Sequence, residues 1–161
     1  MLIGIISDTH DRLDRTVQAV QLLTDAGATV LIHCGDLTGP AIVEACGRLS
    51  SYYVFGNNDY DVAVLRRAIG AVDGVCLGAG GEITLAGKRL AVAHGHVPRE
   101  VRALLAADPD YFLYGHSHVA GDKREGPTRW INPGALHRAP RFTVALLDPE
   151  TDDLEYLPVP R

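Results

Sequence analysis

The chain has 161 residues, 47% of them hydrophobic, and carries 15 Lys and Arg against 20 Asp and Glu, a formal net charge of -5. That is enough apolar material for a core of ordinary size, so one domain over residues 1–161 is expected, while the acidic balance lacks the broad basic surface that a nucleic-acid partner demands. Cys34, Cys46 and Cys76 are odd in number and have no CxxC spacing, which excludes a disulfide framework and points to reduced thiols in the cytoplasm.

The first segment, "MLIGIIS", is too short and lacks the basic flank of a secretory signal, and no later run reaches membrane-spanning length. "LIGIIS" reads instead as a buried strand of the parallel type, followed by Leu13, Val17, Val20 and Leu23 at three- and four-residue steps, the stripe of a helix. "TVLIHC" is a second strand, and "GPAIVEACGRL" a helix with Pro40 in its first turn and a cap at Thr38 or Gly39. "SYYVFG" gives a third strand and "DVAVLRRAI" a short helix.

From Val75 the texture changes to strands joined by glycine-rich turns, with "AGK" inside "GGEITLAGKRLAVAHG" as a hairpin turn. A helix from about Pro98 through Val101, Leu104 and Leu105 precedes the strand "YFLY"; "TRWINPG", "RFTVALLD" and "DLEYLPV" are further strands, the last two joined by the turn "DPETDD". The order β-α-β-α-β followed by a strand-rich half suits a layered α/β domain with at least one mixed sheet.

Chemistry-bearing residues fall where strands end: Asp8 and His10, then Asp36, then Asn57, Asn58 and Asp59, then His94 and His96, then His116 and His118. In an α/β sheet the loops at the carboxyl ends of strands gather on one edge, so these residues are expected to converge on one crevice. Read as extended segments, the pairs Asp8 with His10, His94 with His96, and His116 with His118 each point two side chains the same way. A single histidine at a strand end is ordinarily a hydrogen-bonded structural residue. The argument rests on the cluster, since six of the seven histidines lie in or beside these loops. Imidazole with carboxylate and amide oxygen, and no thiolate, suits Mn, Fe, Ni, Co or Zn in a catalytic site rather than a closed structural zinc. More ligands are on offer than one ion uses, so a two-metal site with a shared carboxylate, the ions roughly 3.5 to 4 Å apart, is the economical solution, and an anionic phosphate its natural guest.

The ordered motifs "DTH", "GD", "GNND", "HGH" and "GHSH" resemble those of the calcineurin-like metallophosphoesterases, and the short length with "INPG" after the last pair is similar to their small bacterial and archaeal phosphodiesterase subgroup. The resemblance spans Ile3 to about Gly134. It implies a four-layer α-β-β-α sandwich of two stacked mixed sheets. It further implies two divalent ions, manganese first among the candidates, with Asp8, His10 and His118 on one, Asn57, His94 and His116 on the other, and Asp36 bridging both. The implied activity is hydrolysis of small phosphodiesters by in-line attack of a metal-bridging hydroxide, with Asp36, Asn57 and His96 as the catalytic set and His96 near the phosphate rather than on a metal.

Around this set, Asp59 is expected either to orient a ligand or to cap its loop, and His33 to be a buried structural histidine; His137, beside Arg138 and Arg141, has a solvated surface role by default, the alternative being that its segment borders the crevice and touches phosphate. Two positions depart from the family pattern. Asn58 stands where larger members carry the histidine that protonates the leaving group, and asparagine cannot supply that proton. Ala135 follows Gly134 where the subgroup has serine. The first departure implies reliance on the metals and a preference for esters with acidic leaving groups, unless His96 or a metal-bound water substitutes. The alternatives are a phosphomonoesterase or nuclease on the same site, or a protein-binding module like the retromer scaffold subunit, which shares the fold with a degraded metal site. A homo-oligomer formed through strand edges or the C-terminal "YLPVP" is a further open reading.

Overall fold

A computed structural model describes residues 1–161. The first half is the alternating pattern expected: β1 (Leu2–Ile6), α1 (Leu13–Asp25), β2 (Ala28–His33), α2 (Pro40–Cys46), β3 (Ser50–Tyr53) and α3 (Val62–Ala71). The second half runs β4 (Val75–Cys76), β5 (Gly80–Leu85), β6 (Lys88–Ala93), α4 (Pro98–Leu105), β7 (Tyr111–Leu113), β8 (Gly121–Glu125), β9 (Thr128–Asn132), β10 (Phe142–Asp148) and β11 (Asp153–Val159). No helix is long and apolar enough to cross a membrane.

The strands form two sheets, in the orders β11-β10-β1-β2-β3-β4 and β5-β6-β7-β9-β8. Both are mixed. In the first, β1 pairs parallel with β2 and antiparallel with β10; in the second, β6 and β9 flank β7 in parallel while β5 and β8 add antiparallel edges. The sheets stack face to face over Ile3, Ile5, Val30, Ile32 and Val54 from one side and Leu90, Val92, Tyr111, Leu113 and Ile131 from the other. The opposite face of the first sheet, with Ile6, Leu31 and Tyr53, packs on helices α1 to α3 through Ala19, Val20, Leu23, Ile42, Val43, Leu65 and Ile69. The outer face of the second sheet, with Ala91, Ala93 and Phe112, is covered by Val101, Leu104 and Leu105 of α4. The result is the four-layer α-β-β-α sandwich with two stacked mixed sheets.

Local chemistry accounts for the joints. Pro40 opens α2 behind an extended Gly39, and the Asp61 carboxylate caps α3 by accepting the Val64 N–H at 3.2 Å. Ala86 and Gly87, both at positive φ (49° and 74°), make the two-residue turn between β5 and β6, a backbone that matches the twist of the paired strands. The α1 stripe differs from the one read off the sequence. Thr16, Ala19, Val20 and Leu23 are buried, whereas Leu13 and Val17 are 41% and 40% exposed. The small Thr16 and Ala19 let the helix approach the sheet, and Thr16 places its hydroxyl on the Arg12 carbonyl at 2.9 Å.

Candidate metal centre

The carboxyl ends of β1, β2, β6 and β7 deliver Asp8, Asp36, His94, His116 and His118 to one edge, with the loop after β3 alongside. The loops are not extended there. Asp8, His10, Asp36, His116 and His118 all have positive φ, between 43° and 66°, a left-handed backbone that costs non-glycine residues free energy and concentrates at functional sites. The side chains of Asp8 and His10 therefore meet because the chain curls back over the strand end, not because alternate residues of a strand face one way.

Asp8 and Asp36 are fully buried, so their charges require compensation. Asp8 Oδ2 accepts the Ser7 hydroxyl at 2.7 Å and the His116 N–H at 3.1 Å, which turns Oδ1 toward the crevice. There Oδ1 lies 3.1 Å from His118 Nε2 and 3.8 Å from both His10 Nε2 and His94 Nε2. Asp36 accepts the Asn58 backbone N–H at 2.9 Å and the Asn58 side-chain amide at 2.8 Å. Its Oδ2 is 3.3 Å from His10 Nε2 and equally 3.3 Å from His94 Nε2.

Histidine orientation is set from behind. The ring nitrogen Nδ1 of His94 bonds the Cys34 carbonyl at 2.7 Å, and that of His118 reaches the Arg138 carbonyl at 3.4 Å. A carbonyl on Nδ1 holds the proton there and leaves Nε2 to coordinate. Three atoms of the crevice, Asp8 Oδ1, His10 Nε2 and His94 Nε2, are buried without any hydrogen-bond partner. Buried polar atoms are almost always satisfied, and unpartnered ligand atoms gathered around shared carboxylates are what a metal-binding site presents. Two groups have ligand atoms within 4.8 Å of one another: Asp8, His10 and His118, and Asp8, Asp36 and His94. The donor set fits divalent cations.

Electrostatics agree. Burial pushes Asp36 up, but the flanking imidazoles of His10 and His94 and the two Asn58 donors hold it far below the usual carboxylate range. Burial likewise works against Asp8, which the approach of His10 and the charges of His94 and His118, with the Ser7 bond, bring below its ordinary value. The Asp36 carboxylate, then Asp8, raises His10 to about 9, and His94 is raised in spite of its burial. A divalent cation would compete with protons for these same imidazole nitrogens and carboxylate oxygens.

The remaining residues divide. His116 is exposed, its ring 5.2 Å from that of His94 and 5.9 Å from that of His96; it belongs to neither compact group. Asn57 is exposed, and the donors that reach Asp36 from this loop come from Asn58 instead. His96 has a buried, unpartnered Nδ1 and a pKa lowered by burial and by its histidine neighbours. Asp59 both orients and caps: Oδ2 accepts the N–H groups of Asp36 and Gly56, and Oδ1 that of Thr38, all at 2.8 Å. His33, brought down to about 3 by burial, is a neutral strut that accepts the Gly35 N–H and bonds Thr9. His137 takes the second of its two readings and borders the crevice. Its ring stands 4.6 Å from that of His10, it accepts the Arg12 Nε–H at 3.3 Å, and burial with the neighbouring cations lowers it to about 4.

Sequence reasoning missed the residues that hold the loops. Buried Asn132, at the end of β9, donates to the Gly115 carbonyl at 2.9 Å and to Ser117 at 3.1 Å, and accepts the Gly134 N–H. It thereby fixes the loop bearing His116 and His118; an asparagine before Pro133 at a strand end was the available signal. Gly115 and Gly56 are needed for approach. A Cβ on Gly115 would overlap the Ser7 hydroxyl and Asp8 Oδ2, and one on Gly56 would overlap Asp36 Oδ1. Ala135 is fully buried, so the position where serine was expected faces the interior of the turn.

Residues 1–152 match the calcineurin-like phosphoesterase superfamily domain. A phosphodiesterase of Methanocaldococcus jannaschii is 27% identical, over 93% of this chain and 94% of its own. Among solved structures, an archaeal phosphodiesterase superposes with a TM-score of 0.89 at 24% identity, covering 98% of this chain and 99% of its own. Vps29 from Entamoeba histolytica, solved with zinc, superposes at 0.64 and 18% identity, covering 98% of this chain and 99% of its own.

Proposed function

The chain belongs to the calcineurin-like phosphoesterase superfamily, and from that premise we propose that it is a di-metal phosphodiesterase acting on small phosphodiesters. The observation that carries this reading is the pair of ligand groups that share Asp8, one with His10 and His118 and the other with Asp36 and His94, in which Asp8 Oδ1, His10 Nε2 and His94 Nε2 are buried and unsatisfied. In it, Asp8, His10 and His118 hold one ion, and His94 with Asn57 and His116 the other. Asp36 is shared; its equal approach to His10 and His94 favours a bridging carboxylate. Divalent ions, manganese first and Fe, Ni, Co or Zn as alternatives, supply Lewis acidity toward phosphoryl oxygens and a water whose pKa is brought near 7, suited to in-line attack.

The chain's own residues do the rest. Asp59 and Asn58 hold Asp36 in place through the loop N–H groups and the side-chain amide. Ser7 and the His116 N–H hold Asp8. His96, half-buried at the edge of the histidine group, is the side chain available to contact the phosphate. Asn58 donates to Asp36 and has no proton to give a leaving group, so esters of acidic alcohols should be favoured.

The test is a matched pair. With manganese restored, 4-nitrophenyl methyl phosphate is expected to turn over at least ten-fold faster than 4-nitrophenyl phosphate, and Asp36→Ala to lose 100-fold or more while retaining its fold by circular dichroism. A faster monoester would favour the phosphomonoesterase reading. Absence of both activities and of bound metal would favour a non-catalytic scaffold, a reading that the gathering of Asp8, His10, Asp36, His94 and His118 at one crevice argues against.

A further inference from the structure

One recess has a candidate metal ligand in its wall. It encloses about 410 Å³ and is lined by His118, Val119, Ala120, Pro140, Arg141 and Thr143. One wall is the loop after β7, the other the segment between β9 and β10. The two are tied together before any ligand arrives. His118 Nδ1 reaches the Arg138 carbonyl, Thr143 donates its hydroxyl to the Pro133 carbonyl at 2.7 Å, and Asn132 pins Gly115 and Ser117. The recess is therefore preformed, and its polar groups are already engaged. What it offers is apolar surface, including Val119 at 65% exposure, with Arg141 at its rim. Neither a hydrogen bond nor a salt bridge engages that guanidinium within the protein.

A second recess beside a ligand loop, formed by Asp11, Arg12, Leu13, Asp14 and Arg15, is lined by charged side chains of both signs with Leu13 alone apolar, and so offers an organic arm little apolar surface. A phosphodiester has two organic arms. One departs, and the other stays attached to phosphorus throughout and must lie against the protein. We infer that the recess between His118 and Arg141 receives the retained arm, and that it selects a flat, apolar, aryl-type arm over a small or polar one. The inference rests on the phosphodiesterase reading and gives it a substrate class. His118 Nε2, 3.1 Å from Asp8 Oδ1, faces the metal crevice while His118 and its neighbour Val119 line the recess, so the recess adjoins the crevice across a single residue. An aromatic face on Val119, Ala120 and Pro140 removes apolar area from water, and a guanidinium stacks on aromatic rings where an ammonium would not.

The experiment holds the leaving group constant. For the manganese-reconstituted protein, kcat/KM is measured on 4-nitrophenyl phenyl phosphate and 4-nitrophenyl methyl phosphate, in the wild type, V119S and R141A. A phenyl-to-methyl ratio of roughly ten or more is expected in the wild type, falling below about two-fold in V119S and by about three-fold or more in R141A. A ratio unchanged by both substitutions overturns the inference. Calorimetric binding of diphenyl phosphate against dimethyl phosphate separates this from the reading beneath it. Preferential binding of the diphenyl ester, lost in V119S, without turnover of any diester, would keep the subsite and sink the phosphodiesterase. Turnover with no arm preference in rate or binding would do the reverse.

Discussion

Asp59 has no part in the chemistry, yet it determines where Asp36 stands. Its carboxylate accepts three backbone N–H groups from the loops after β2 and β3, of which that of Asp36 is buried and the other two are partly buried, and a buried N–H left unpaired costs about 1–3 kcal/mol. Asp59→Ala is therefore expected to destabilise the protein by about 1–3 kcal/mol and to weaken manganese binding by about 10-fold to 100-fold. Denaturant unfolding and a metal titration of the variant check it, and wild-type values in both would remove Asp59 from the account. Asp8, Asp36 and the histidines were legible in the sequence because their side chains are chemically distinctive and recur at strand ends. Asn132, Ser7 and the amide of Asn58 were not, since asparagine and serine are common in turns and nothing local says which carbonyl or carboxylate they meet. For His137 the sequence left the surface and the crevice border both open for the same reason: only folding brings it against His10.

At the level of elements, strands with apolar runs were readable and charged or minimal ones were not. β8 is the sequence "GDKRE", almost wholly exposed, an edge strand whose Lys and Arg discourage further pairing; its pattern carries no alternation to detect. β4 is two residues long. The burial of α1 was rotated from its apolar stripe because the close approach of Thr16 and Ala19 outweighs the larger Leu13 and Val17. β8 is instead held by charge. Arg129 of β9 grips Asp122 with two bonds, of 2.9 and 2.8 Å, and reaches Asp152 in the turn between β10 and β11 at 2.8 Å, tying the second sheet to the first at the end away from the histidines. The Arg129 guanidinium holds the Asp122 carboxyl below its ordinary value. A carboxyl lowered in the folded state stabilises above its unfolded value, about 4, and loses that contribution as pH falls through the folded one. The gap in melting temperature between wild type and Asp122→Asn should therefore be present at pH 7 and shrink below about pH 4. A gap independent of pH would mean that packing of the arginine, rather than charge, holds the strand. Asp122 is partly exposed, so the effect should be modest.

For the molecule as a whole, the crevice exists only because two sheets stack in one register. Asp8 and Asp36 come from the first sheet, His94, His116 and His118 from the second, and the apolar layer between them sets their separation. Convergence at strand ends could be argued within each sheet from alternation and strand order. Which faces meet, and so which carboxylate faces which imidazole, is a long-range packing outcome with no local signature. The account stands on a pair of cations at that junction. A crystal structure of the protein grown with manganese, with anomalous difference density collected at the metal edge, measures it directly. Two peaks about 3.5 to 4 Å apart, with Asp36 between them, Asp8, His10 and His118 on one and His94 on the other, are predicted; a single peak, or density away from these side chains, would contradict it.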